Sequence, residues 1–392
     1  PRKFTGRQLA EIAFPLGGVA AGSISLGGRG QLRDWEIFNR PDKGHQPAYA
    51  FASIWAQAPG RKPVARIAEA RLLPPFGGPT GLGSQNAPGL PRLDGASFTG
   101  MYPLARIDFR DRTLPVRLSL EAFTPIIPLD ADESGLPVAV LHYRAFNPTA
   151  APVRCAMAFS IENPVGTGDG RLNELRQAGA LRGLVMSNPA LPAADVLHGT
   201  FTLASLNAAE TSVWRGWPRG RWWNSPMLFW DEFSASGLLG AEPTQRGPVG
   251  VVSTIEDVPA GGEADFLFLL AWHFPNRTPA RCGWRAPKGE ENTIIGNYYT
   301  TRFRDAWDAA SYLARNLDSL RNRTRAFVDT IAQSSLPGQV KDAAMSNLST
   351  LATQVCFRTA DGEFHGFEGA NDKSGCCFGS CTHVWNYEST TA

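Results

Sequence analysis

The residues with the clearest chemical potential lie near the end of the 392-residue chain. Glu368 stands in Phe367-Glu368-Gly369, with Gly366 just before it. Residues without side-chain bulk let the backbone turn sharply and let a ligand approach the carboxylate closely. An ionised carboxylate so placed can serve as a nucleophile or as half of an acid–base pair. On spacing alone, the tripeptide reads as a solvated turn. Asp372, in Asn371-Asp372-Lys373-Ser374-Gly375, is a rival carboxylate, and its turn-forming neighbours point to a local backbone cap. His383 and Trp385 follow a Gly- and Cys-rich loop, two residues apart. A polar group beside an aromatic face suits a sugar, whose C–H groups pack on rings while its hydroxyls need partners. A helix start with a buried Trp is the competing reading. Cys376, Cys377 and Cys381, with His365 and His383, invite a metal reading. Zinc ligands come in pairs two to four apart, and adjacent cysteines followed by a gap of four fit poorly. No metal is expected there; packed thiols or a disulfide are. Cys155, Cys282 and Cys356 are isolated and read as buried apolar fillers. No cofactor is implied, and a structural Ca2+ held by loop oxygens stays open.

The elements that must position these residues change character along the chain. With 40 glycines, 30 prolines and 10% aromatics, the composition favours strands joined by tight turns. A hydrophobic fraction of 43% supports a packed core and argues against disorder. A net charge of +2 argues against nucleic acid as the main partner, and no apolar run is long enough for a membrane span. From residue 12 to about 280, strands are expected at Val116–Phe123, Val138–Arg144, Cys155–Ile161 and Phe266–Trp272. The last is an unbroken apolar run, as in a strand covered on both faces. Residues 75–98 form a long Gly/Pro/Ser-rich loop. Gly17-Gly18 to Gly30 lacks the strand–turn–helix order of a dinucleotide site, so its glycines are assigned to close sheet passage. Trp214, Trp217, Trp222, Trp223 and Trp230 read as a seam where the strands meet helices; a polysaccharide platform is the other reading. Thr301 to Ala332 has three- and four-residue apolar steps, as in one or two helices, and Leu336-Pro337-Gly338 breaks them. Val340 to Gln354 is a second helical stretch, with Ala344, Leu348 and Leu351 on one side.

Three segments resemble glycoside hydrolase family 116, the bacterial and animal family that includes the non-lysosomal glucosylceramidase. The first runs from Phe14-Pro15-Leu16-Gly17-Gly18 through Leu26-Gly27-Gly28-Arg29-Gly30 to Trp35-Glu36-Ile37-Phe38-Asn39-Arg40-Pro41. The second is Leu336-Pro337, Lys341-Asp342-Ala343-Ala344 and Ser346-Asn347-Leu348-Ser349-Thr350. The third is Arg358-Thr359-Ala360-Asp361-Gly362, Gly366-Phe367-Glu368-Gly369 and Cys381-Thr382-His383-Val384-Trp385-Asn386-Tyr387. The resemblance implies an N-terminal antiparallel β-sandwich followed by an α-helical (α/α)6-barrel region, here apparently truncated. The expected division is a sandwich over 1–290, a helical connector over 291–335 and the start of the catalytic domain over 336–392.

It also implies retaining hydrolysis of β-linked sugars, mainly β-glucosides, with Glu368 as nucleophile. The family's acid/base is an Asp far downstream, to which no residue of this chain corresponds. The remainder of the catalytic domain is then expected in further sequence or another chain. Some members carry a sugar-binding Asp near His383, so the sugar itself stays open; His383 and Trp385 are the expected substrate contacts. The alternative is a non-catalytic sandwich module that binds carbohydrate or docks a partner. The chain starts at Pro1 with no signal segment, so it reads as processed or trimmed. The compartment stays open, with an extracytoplasmic one the first expectation.

Overall fold

A computed structural model describes residues 2–76, 81–207, 210–222, 224–381 and 385. Two large sheets dominate. In the nine-stranded sheet the order is Arg2–Thr5, Gly95–Met101, Leu104–Arg110, Arg117–Phe123, Val138–Phe146, Glu263–His273, Thr200–Ser205, Leu181–Ser187 and Leu172–Ala178. In the six-stranded sheet it is Thr211–Trp214, Val249–Val258, Val153–Glu162, Phe51–Gln57, Val64–Ala70 and Arg92–Leu93. Every pair is antiparallel except the last, where Arg92–Leu93 runs parallel to Val64–Ala70. A third, three-stranded sheet is formed by Ala13–Leu16, Ser23–Gly27 and Leu32–Glu36.

The four strands expected from alternation are present with slightly longer ends. Their registers show why they read so clearly. Leu141 pairs Phe268 and Val140 pairs Leu269, so apolar side chains stack across the sheet. Successive residues of Glu263–His273 point to opposite faces. Phe268 meets Phe159 of the six-stranded sheet, with ring centroids 5.8 Å apart. On the other face, the Nε2–H of His273 donates to the Phe303 carbonyl at 2.9 Å, just before the long helix Ala306–Gln333. That helix buries Ala306, Ala309, Ala310, Leu313, Leu317 and Leu320 in the same core as the strands. The central strand is thus covered on both sides, as its unbroken apolar run requires.

The tryptophan-rich stretch departs from expectation. It holds a helix, Ser225–Ser236, which carries Phe229, Trp230 and Phe233 onto the outer face of the six-stranded sheet. Trp217 stacks on Phe229 at 4.7 Å, with Trp214 buried nearby and Trp222 exposed. The seam is therefore internal to the β part, while Trp223 lies outside the described residues. The 75–98 stretch is also less of a loop than expected, since Arg92–Leu93 and Gly95–Met101 are strands.

The expected (α/α)6 region is not found. Among the described residues after Pro337, one α-helix forms, Gly338–Asn347, and it buries only Met345. The apolar spacing of Ala344, Leu348 and Leu351 suggested a longer helix. The helix instead ends at Asn347, and the polar run through Ser349 and Thr350 tightens into the 3-10 turn Leu348–Ala352. A barrel wall needs successive helices that each bury an apolar stripe. The chain instead continues into a short hairpin, Cys356–Arg358 with Phe364–Gly366, and then into turns. The chain is β-rich, with several sheets and only a short helical region towards its C-terminal end. No helix among the described residues is long and apolar enough to cross a membrane.

Two outcomes test this packing. Phe268→Ala should lower unfolding free energy by about 3–5 kcal/mol in a denaturant titration, because the hole opens between two sheets. The second concerns Glu121, which pairs with Arg325 of the long helix. Burial opposes its charged form, but the hydrogen bond and charge of Arg325 outweigh burial and hold the carboxyl below its usual 4.5. A depressed folded pKa gives stability that is present above the unfolded pKa and lost as pH falls towards the folded one. Thermal midpoints should therefore drop as pH falls below 4.5, and Glu121→Gln should flatten part of that slope. Identical pH profiles for the two proteins would show that the pair contributes nothing.

Candidate functional site

The Glu368 loop is built on the Cys356–Arg358/Phe364–Gly366 hairpin. The Phe367 N–H donates to the Val355 carbonyl at 2.7 Å, which continues the ladder one step past the strand. Phe367 is buried with Cys282 and Phe357, and with Trp284 and Ile295 against them. Gly375 crosses this ring so closely that an added Cβ would lie 2.4 Å from it. Beyond the loop, the Cys376 N–H donates to Gly369 and the Cys381 N–H donates to Gly366, each at 2.9 Å. Phe367 therefore points inward and Glu368 points outward, on a loop held from both sides. Glu368 is exposed.

The hairpin is attached to the sandwich by a buried polar cluster. Arg277 is fully buried. Its Nε–H donates to Asn297 Oδ1 at 2.7 Å, and an Nη–H donates to Gln354 Oε1 at 3.0 Å. The guanidinium lies 4.5 Å above the Phe357 ring. Asn297 donates to Asn39 Oδ1 at 2.7 Å and to the Phe274 carbonyl at 2.8 Å. Gln354 donates to the Glu36 carbonyl at 2.7 Å. Burial pulls the Arg277 pKa below its usual value. A planar fork with five donors is the side chain that can satisfy this many separate acceptors. One strand of the Glu368 hairpin is thus tied to the end of the Phe266–Trp272 run and to the Trp35–Pro41 segment. Outside the cluster, Lys373 pairs with Asp42, and the Lys43 N–H donates to the Asp372 carbonyl at 3.1 Å.

The expected site residues fare differently. The indole N–H of Trp385 donates to the Phe367 carbonyl at 2.9 Å, so this side chain braces the residue next to Glu368. His383 lies outside the described residues. Asp372 is not the cap of its turn; the Asn371 side chain takes that role, accepting from the Lys373 and Ser374 N–H groups. Cys155, Cys282 and Cys356 are buried, as fillers should be. His365 rests against Trp284, with its Nδ1 3.0 Å from the Ser380 hydroxyl. Cys377 and Cys381 have sulfurs 2.9 Å apart, and with the Glu368 carboxylate they form a group whose donor atoms all lie within 4.8 Å. The Cys381 contact, slight burial and the negative Glu368 push the Cys377 thiol up to about 11.

Arg277, Asn297 and Gln354 were missed. Their partners are distant in sequence, and only Glu36 and Asn39 stood in a segment singled out by motif. Four cavities of 400 to 920 Å3 among the described residues are lined by other side chains. Arg277→Lys tests the clamp. A single ammonium cannot fork to Asn297 and Gln354, so a buried amide loses its partner, at about 1–3 kcal/mol. Amide hydrogen exchange should accelerate in 354–381 more than in the Glu263–His273 strand. Equal protection in both proteins would show that the clamp is dispensable.

Among solved structures, one described as "Putative kojibiose phosphorylase from human microbiome" is similar at a TM-score of 0.43 and 8% identity. It covers 90% of this chain and 41% of its own. A family GH92 alpha-mannosidase from Bacteroides thetaiotaomicron is similar at 0.32 and 8% identity, over 92% and 42%. The chain thus spans well under half the length of either, and neither likeness is close enough to carry an argument. The family model described as beta-glucosidase 2, glycosyl-hydrolase family 116 N-term matches residues 13–320, which is most of the chain, and on that match the chain belongs to glycoside hydrolase family 116.

Proposed function

We propose that this protein serves retaining hydrolysis of β-linked sugars, with Glu368 as the nucleophile. The observation that supports this most is the family membership over 13–320, joined to the Arg358–Tyr387 segment that resembles the family's nucleophile region. The geometry is compatible. Glu368 is accessible, while the backbone on both sides of it is fixed by hydrogen bonds. A nucleophile held in place spends less of its binding energy on ordering.

Retention needs a second carboxyl about 5–5.5 Å away, first as acid and then as base. We assign that group, and the rest of the sugar pocket, to chain outside the described residues. Glu368 would attack the anomeric carbon as the aglycone oxygen takes a proton from the second carboxyl. Water activated by the same group would then release the sugar. Trp385 would act by holding the Phe367 carbonyl and so the direction of Glu368. His383 is the residue we assign to a sugar hydroxyl.

One observation favours a second reading, a non-catalytic sugar-binding or partner-docking module: the Glu368 side chain is exposed on its loop. A 2-deoxy-2-fluoro-β-glucoside with a dinitrophenolate leaving group separates the two, since such a leaving group needs no proton. The enzyme reading expects a stable adduct on the tryptic peptide Thr359–Lys373, absent in Glu368→Gln. In turnover assays that variant should lose at least about a thousandfold in rate. A label on another peptide would move the site, and no label at all would favour the binding module.

A further inference from the structure

We propose that Cys377, Cys381 and Glu368 form a binding site for a thiophilic divalent cation such as Zn2+, and that filling it withdraws the Glu368 carboxylate from reaction. The binding stands on geometry alone; the inhibitory consequence rests on the reading of Glu368 as nucleophile.

The three donor atoms lie within 4.8 Å of one another. A tetrahedral ion with Zn–S bonds of about 2.3 Å needs donor–donor edges of about 3.7 Å. Small side-chain rotations reach that arrangement, and Cys377 is exposed enough to make them. Two thiolates and one carboxylate form a soft-to-borderline set that selects Zn2+ over Ca2+ or Mg2+, which take oxygen ligands. Three protein ligands leave a fourth place for water, a common zinc arrangement.

The backbone brings these donors together before any ion arrives. Cys377 and Phe378 both adopt left-handed conformations, with φ of 70° and 55°. That turn folds Cys377 back towards Cys381. It is held by the Arg285 N–H donating to the Phe378 carbonyl at 2.8 Å, with the Arg285 guanidinium 5.1 Å over the Phe378 ring. The Cys381 and Cys376 N–H bonds to Gly366 and Gly369 fix the same loop against Glu368. The third ligand comes from the hairpin side, which is why the cysteine spacing alone did not resemble a zinc site. Binding replaces two S–H bonds with two metal–sulfur bonds and releases two protons to solvent, with no oxidation. Affinity should therefore rise with pH.

The test uses the chain kept reduced and stripped by a chelator. Zn2+ affinity is read by competition with a chromophoric chelator, and thiolate ligation is read from the sulfur-to-cobalt charge-transfer band with Co2+. One ion per chain is expected. Affinity should fall by more than about a hundredfold in C377S/C381S and about tenfold in E368Q, and C376S should bind normally. C377S alone should keep a weakened cobalt band, which guards against a double variant that fails to fold. No bound ion, or a charge-transfer band unchanged in C377S/C381S, would overturn the site. If Zn2+ binds but the fluoroglucoside still labels Glu368 at the same rate, the inhibitory step is overturned. If Zn2+ binds and the label falls elsewhere, the site stands and the nucleophile assignment fails.

Discussion

A buried cation stands at the centre of the contact between the sheets and the Glu368 hairpin. Arg277 carries a full charge into the interior, where water cannot solvate it, and such a charge is costly unless its donors are satisfied. No ion pair to it is found among the described residues. Its partners are amide oxygens and an aromatic face, drawn from the Trp35–Pro41 segment, the stretch after the central strand and the residues before the Glu368 hairpin. Removing any one contributor leaves another polar group stranded in the core. The orientation of the sandwich and the placement of Glu368 are therefore one problem with one solution.

Around that clamp, the packing divides the labour. The middle of the nine-stranded sheet, at Val138–Phe146, Glu263–His273 and Thr200–Ser205, lies between the six-stranded sheet and the long helix, while the outer face of the six-stranded sheet is packed by Ser225–Ser236 and its aromatic side chains. The Glu368 hairpin, by contrast, rests on a small core of Cys282, Phe357 and Phe367 and keeps its carboxylate outside.

Much of this was legible in the sequence, and the exceptions have physical causes. Alternation in Val116–Phe123 and the apolar run Phe266–Trp272 announce strands because a pleated strand alternates its faces and a doubly covered one cannot be polar. The 28-residue helix Ala306–Gln333 shows its apolar stripe for the same kind of reason. Ser225–Ser236 was hidden because Trp230 read, with the other tryptophans, as part of a seam, and a short apolar stretch does not tell helix from strand. The (α/α)6 expectation came from the family resemblance, with a helical spacing after Pro337 that ended in a 3-10 turn. At the site, Glu368 is marked by its glycines, whereas Arg277, Asn297 and Gln354 leave no local signal. Their bonds join residues 20 and 77 positions apart, and a window along the chain does not see such pairings.

The chemistry of the clamp has one more effect. Amide oxygens and a phenyl ring neither gain nor lose protons across the range in which proteins work, so the grip of Arg277 does not fade with acid. The attachment of the long helix through Glu121 does, because it ends on a carboxylate. In a compartment that acidifies, the contacts of Arg277 should persist while the carboxylate ties around them, Glu121 with Arg325 and Asp42 with Lys373, loosen together.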